Sequence, residues 1–123
     1  MKCKKCRAIL PVDWPIAEDT VVQPDVLVVC DEYIGIKKLE VTPVMVFEIL
    51  SPSTARKDKI IKYQLSENAG VKYYCIVDPE TNSATVFVLQ KDKYRQAEEF
   101  KDGKMLFDFG PCQIEFDFSN IFE

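Results

Sequence analysis

The chain contains no histidine. That one absence removes Ser-His-Asp and Cys-His nucleophilic catalysis, histidine-ligated zinc hydrolases and phosphohistidine transfer. Acid–base chemistry falls instead to carboxylates, lysines, tyrosines, cysteines or a metal ion. Apolar runs of the roughly 20 residues that span a bilayer are missing as well. The opening MKCKKCRAIL has too short an apolar stretch for a secretory leader, so the chain reads as soluble and cytoplasmic, with no membrane partner. Repeats and low-complexity segments are absent. At 123 residues, with 47% hydrophobic, the chain has room for one domain over residues 1–123 and too much apolar content for disorder.

Five cysteines are present, at Cys3, Cys6, Cys30, Cys75 and Cys112. Cys30 and Cys75 sit in the apolar runs VLVVC and YYCIV, where cysteine behaves as a small hydrophobe. Only Cys3 and Cys6 have ligand spacing, and one CxxC lacks the second pair that a zinc ribbon needs. Ordinary reduced thiols are the expectation.

Charge is unevenly distributed on a chain of net charge -4. Residues 2–7 carry Lys2, Lys4, Lys5 and Arg7 without an acid, and residues 56–72 carry five basic against two acidic residues. From Glu98 onward seven acids face two lysines. A basic strip on an acidic body can approach phosphates, although charge alone favours a solvated helix face.

An extended segment at 7–12 leads into an irregular stretch with Pro11, Pro15 and Pro24, and then a strand at 25–30. Residues 44–50, VMVFEIL, are apolar but for one position, as in a central strand buried on both faces. After SPS a helix is expected over 54–68, its apolar face built on Ile61 and Leu65 with Ile60 alongside, and Gly70 ending it. Ser51, Ser53 and Thr54 are candidates to cap that helix. Strands at 72–78 and 84–90 are joined by PETNS, two more are expected near 94–100 and 111–118, and FSNIF suits a final helical turn. Phe107, Phe109, Phe116, Phe118 and Phe122 read as strand core. Strand–helix–strand over 44–78 is one crossover unit, giving an α/β fold with a mixed sheet and one principal helix after the Glu48 strand.

Glu48 is the residue this pattern singles out. Alternation puts Val46, Glu48 and Leu50 on one face and Phe47 with Ile49 on the other, so the carboxylate is driven inward on either face. An unpaired buried carboxylate costs several kcal/mol, so it must be paired, protonated or bound to a cation. Asp25 opens the preceding strand. If the two strands are neighbours, both carboxylates converge on a site for a hard cation. Lys62, on the following helix, can reach the same point, or it can pair with Asp58 one turn earlier. Gln23 is a weaker neighbour.

Three segments together carry a family resemblance: VVQPDVLVVCD, VFEILSPSTARKDKIIK and AGVKYYCIVDPETNSATVFVL. They resemble the bacterial putative restriction endonuclease (Uma-two) family of the PD-(D/E)xK nucleases, over about residues 6–89. The resemblance implies a restriction-endonuclease-like core. The PD motif falls on Pro24 and Asp25, and the acidic position on Glu48. Leu50 occupies the usual lysine position, which points to a lysine moved to the helix, Lys62; Asp58 also matches a family position. Ser66 stands where relatives tend to carry tyrosine. The chain starts just before the PD strand, so an N-terminally shortened domain with an exposed sheet edge, and hence a homodimer, is expected. Implied function is metal-dependent hydrolysis of DNA phosphodiester bonds, with Asp25 and Glu48 holding Mg2+ or Mn2+ and Lys62 stabilising charge. The second reading is an inactive, shortened relative that serves as a dimerisation or interaction module.

Overall fold

The apolar run at 44–50 lays down half of the parallel strand pair on which the sheet is built. The computed structural model describes residues 6–9, 14–17, 20–22, 24–30, 42–51, 56–110 and 112–120. In chain order its strands are β1 (Arg7–Ile9), β2 (Trp14–Ala17), β3 (Thr20–Val22), β4 (Val26–Val29), β5 (Met45–Ile49), β6 (Tyr73–Asp78), β7 (Ser83–Gln90), β8 (Lys93–Phe100), β9 (Lys104–Asp108) and β10 (Gln113–Asp117). Helix α1 (Arg56–Ala69) connects β5 to β6, and a 3-10 turn (Phe118–Asn120) follows β10. Six strands form one sheet in the order β1-β4-β5-β6-β7-β8. Only β5 and β6 run parallel, as a strand–helix–strand crossover requires; every other neighbour pair is antiparallel. The mixed sheet with one principal helix is the architecture the sequence pattern calls for.

Alternation along the strands separates two cores. Leu27, Val29, Val46 and Tyr74 pack on the α1 side, with Trp14 and Tyr94. Val28, Met45, Cys75, Val77 and Val86 face the other way and are covered by Phe107, Phe109 and Phe118. The phenylalanines are therefore core, as expected, while Phe122 lies outside the described residues. Two elements have no counterpart in the sequence pattern. The stretch read as irregular contains the β2–β3 hairpin, whose two strands pair with each other. Strand β9 is the other, and β10 pairs with it in a separate sheet instead of extending the main one.

Helix α1 ends where glycine allows it to. Gly70 adopts φ +87°, its N–H bonds to the Glu67 carbonyl and the Val71 N–H bonds to the Ser66 carbonyl. This is the Schellman arrangement, which needs a left-handed residue. The face that α1 turns to the sheet differs from the expected one. Ile60 and Ile61 are 57% and 45% exposed, whereas Ser66 is buried. Tyr63 packs edge-on against Tyr74 and Phe87, with ring centroids 5.5 and 5.3 Å apart. The inward stripe is thus 62, 63 and 66, set by aromatic packing and by the charge of Lys62; of the aliphatic residues expected on that face, Ile60 and Ile61 lie outside it and Leu65 is half-buried. Glu67 fixes the helix end to β8 by accepting the Tyr94 N–H at 2.7 Å, while the Tyr94 hydroxyl donates to the Val71 carbonyl at 2.8 Å.

The expectation of reduced thiols is corrected. Cys6 and Cys30 form a disulfide, and Cys112 is disulfide-bonded too. Register explains the pairing: Arg7 faces Val29 across the β1–β4 ladder, so the next residues outward, Cys6 and Cys30, face one another. A spacing rule applied along the chain does not register a cross-strand pair 24 residues apart. Cys75 is free and buried, and burial pushes its thiol up to about 12.

Burial also raises Tyr94, helped by the nearby charge of Glu67. Both groups hold their protons more tightly folded than unfolded. Their stabilisation is complete below the unfolded values, near 9 for the thiol and 10 for the phenol, and is lost as pH rises toward the folded ones. Chemical denaturation should show stability falling from about pH 9, with a slope near 1.4 kcal/mol per pH unit per group. Cys75→Ala should delay the onset; a profile flat to about pH 11 would contradict this account.

Candidate active site

Adjacent antiparallel strands bring the two carboxylates together. Val26 faces Phe47 as the last register pair of β4 and β5, and Asp25 and Glu48 each lie one residue beyond it. Asp25 follows Pro24, which is fully buried and anchors the entry to β4. Its Oδ2 accepts the backbone N–H of Ile49 at 2.7 Å. That bond continues the β4–β5 connection past the end of the backbone ladder, and it holds the carboxylate against the residue that follows Glu48. Side-chain patterning cannot foretell it, because a backbone donor leaves no mark in the sequence.

Glu48 is fully buried on the α1 side of the sheet, with Val46. It pairs in parallel register with Ile76, near the C-terminal ends of β5 and β6. Crevices at the carboxyl ends of parallel strands are the usual ligand sites of α/β sheets, because the chain leaves the sheet there. Lys62 reaches into this corner from α1, its Nζ 3.6 Å from Glu48 Oε2 and its side chain 20% exposed. Of the two partners open to Lys62, Glu48 is the one in contact with it among the described residues. The side chain of Asp58 lies outside the described residues, as do Gln23, Ser53 and Thr54. A buried carboxylate and a half-buried ammonium stabilise one another where water screens little.

The three residues singled out by the sequence therefore meet in one corner: Asp25 through the Ile49 backbone, Glu48 directly and Lys62 across the helix–sheet gap. Oxygen donors of this kind suit a hard cation. Among the described residues no group of three or more histidine, cysteine or acidic side chains forms a cation cage, so two carboxylates are the protein donors available. Two lysines of the basic strip at 56–72 have described side chains. Lys62 turns to Glu48, and Lys72 donates to the Asp108 carbonyl at 2.8 Å while lying over the Tyr73 ring.

Comparison with known proteins bears on this geometry. The family model described as "Putative restriction endonuclease" (Uma2) matches residues 2–115. The chain belongs to the Uma2 family. The match runs well beyond 6–89, taking in the β8–β10 region that the sequence resemblance leaves aside. Among solved structures, "a putative nuclease belonging to DUF820 from Anabaena variabilis" superposes with a TM-score of 0.70 at 18% identity, over 97% of this chain and 69% of that one. No curated protein matches. At that identity the likeness shows the fold, and this Uma2 chain has the mixed sheet and helix consistent with a restriction-endonuclease-like core.

A double-mutant cycle with Glu48→Gln and Lys62→Met, followed by denaturation, tests the pairing at the corner. The coupling energy should be about 0.5–3 kcal/mol, and Lys62→Met alone should destabilise by leaving the buried Glu48 without its nearby cation. Additive effects of the two changes would show that the side chains do not interact.

Proposed function

We propose that this Uma2 chain is a metal-dependent endonuclease of the PD-(D/E)xK type that hydrolyses DNA phosphodiester bonds, acting as one domain over residues 1–123. The observation that carries the reading is the convergence of Asp25 and Glu48 at the ends of two neighbouring strands, with Lys62 3.6 Å from the buried glutamate. Family membership and the nuclease-like fold support it.

The donor set fits Mg2+ or Mn2+. Both side chains offer hard carboxylate oxygens, and these ions bind through one or two carboxylates while keeping other positions for water and phosphate. When bound, such an ion supplies Lewis-acid activation of the phosphate and lowers the cost of forming the attacking hydroxide. Asp25 and Glu48 hold it in this proposal, with Asp25 oriented by the Ile49 N–H. Glu48 is fixed by its strand and by surrounding apolar packing, so little reorganisation accompanies binding. Lys62 answers the charge of Glu48 and then offers its ammonium to the phosphate oxygens as negative charge develops on them. A lysine from the following helix can do this in place of one on the strand, because only the position of the charge matters.

Self-association is part of the reading. Ile60, Ile61 and Leu106 are large apolar side chains at least 45% exposed, and the outward face of α1 has no cover among the described residues. A homodimer would bury such surface. The interaction-module alternative draws on the same observation and predicts the dimer without the chemistry. Cytoplasmic residence accords with a DNA substrate, and no described helix is long and apolar enough to cross a membrane.

Nicking of supercoiled plasmid in Mg2+ separates the readings. Asp25→Ala and Glu48→Ala should each reduce it by about 100-fold or more, and Lys62→Met should do likewise while leaving Mn2+ binding in place. Activity that survives both carboxylate changes would put the chemistry elsewhere. Light scattering should give twice the chain mass, and Ile61→Glu should halve it; a wild-type monomer would remove the dimer from the account.

A further inference from the structure

On the face of the sheet turned away from the carboxylate corner, the sheet and the β9–β10 hairpin do not close fully on one another. They leave an apolar cleft of about 240 Å3. Val26 and Val28 of β4 and Phe47 and Ile49 of β5 line it from the sheet, and Ile114 and Phe116 from the hairpin. The hairpin is anchored over the other half of the sheet, at β6 and β8. The Asp108 N–H donates to the Tyr73 hydroxyl at 3.0 Å, and Lys72 Nζ donates to the Asp108 carbonyl at 2.8 Å. Beyond β10, Phe118 stacks on Phe100 with ring centroids 4.4 Å apart, and its N–H donates to the Gly103 carbonyl. These anchors set the height of the hairpin, so the cleft is preformed. A fixed gap between packed layers forfeits dispersion contacts along both walls, and an apolar guest restores them.

We propose that this cleft is a binding site for a neutral, two-ring aromatic molecule. Its lining chemistry sets the first property of the guest. Every described side chain that lines it is apolar, so it offers no side-chain partner to a carboxylate, a phosphate or a ring nitrogen. Such groups would lose their water on entry without replacement. Ordered water is a poor occupant for the same reason, since it needs two to four polar partners.

Size and shape set the others. An apolar protein cavity of roughly 150 Å3 holds one benzene. A cleft of about 240 Å3 has room for a second fused ring. Phe47, Phe107, Phe109 and Phe116 bring four rings to its wall. Aromatic rings in contact gain attraction beyond the area they bury, which favours a planar aromatic guest over an alkyl chain. Phe47 and Phe116 stand 5.8 Å apart at 41° to one another, one on the sheet and one on the hairpin, so a flat guest meets rings on both walls.

The same strand ends serve both faces of the sheet. Val26 and Ile49 line the cleft, and their chain neighbours Asp25 and Glu48 make the carboxylate corner. Ile49 is 44% exposed, and its N–H donates to Asp25 Oδ2 at 2.7 Å. A guest in the cleft covers the Ile49 side chain, so the Ile49 amide reports occupancy. Binding in the cleft does not depend on a metal ion at the corner.

The test is a titration of naphthalene into the full chain without metal, followed by methyl and amide NMR. Saturable binding below the solubility limit of naphthalene is expected, moving the methyl signals of Val26, Val28 and Ile49 and the Ile49 amide, and leaving those of Ile60 and Ile61 in place. Adenine, two fused rings rich in polar nitrogen, should bind at least about 10-fold more weakly. Ile114→Trp, which fills the cleft from the hairpin, should abolish binding, and Leu106→Ser, at an exposed position of the same hairpin, should leave it unchanged. Absence of saturable binding to the wild-type chain overturns the proposal, a result that needs no variant to fold. Adenine binding as tightly as naphthalene also overturns it, in favour of a nucleobase site. So do cleft signals that shift when the ligand-free chain is diluted, which would put a second copy of the chain in the cleft.

Discussion

A fully buried carboxylate on the parallel strand pair is the constraint around which the rest of this chain is arranged. Glu48 occupies a position where an aliphatic residue would pack without cost, and placing a charge there requires a compensating neighbour. The compensation is Lys62, delivered by the helix that the crossover places next to β5. The orientation of α1 follows: Lys62 and Tyr63 turn inward and two isoleucines are left in solvent. Natural sequences seldom leave such surface exposed for stability alone, so the cost at Ile60 and Ile61 reflects a demand made elsewhere.

The two faces of the sheet divide the work. The α1 side holds the charged corner, walled by Leu27, Val29, Val46 and Tyr74. The other side is closed by the phenylalanines of the β9–β10 region, and the cysteines of the Cys6–Cys30 disulfide pack there. Strand β4 joins the two sides. Asp25 stands at its start and reaches the Ile49 backbone, and Cys30 at its end is bonded to Cys6. One short strand thus ties the thiol side to the carboxylate side.

Much of this arrangement is legible in the sequence. The interruption of VMVFEIL by one glutamate marks both a buried strand and a buried carboxylate on it, because periodicity and polarity disagree at that position alone. Gly70 marks the end of α1 through its left-handed backbone, a property of one residue type. Asp25 and Lys62 are marked by their placement around Glu48 and by family resemblance, and both lie at the corner. The inward face of α1 is not legible in the same way. Aliphatic residues four apart outweigh a lysine in any count of hydrophobicity, and only the partner across the gap reverses that order. The β2–β3 hairpin is hidden by its prolines, and β9 by its short, charged start. The pairing of Cys6 with Cys30 depends on register between strands far apart in sequence, which spacing rules do not encode.

Calorimetric titration of Mn2+ into the pure protein, with Asp25→Ala/Glu48→Ala alongside, tests the central claim most directly. A cation should bind the wild-type chain at the carboxylate corner, and that heat should be absent from the double variant while its fold is retained. Equal binding by both proteins, or none by the wild type at millimolar Mn2+, would contradict the assignment of Asp25 and Glu48 as a metal site.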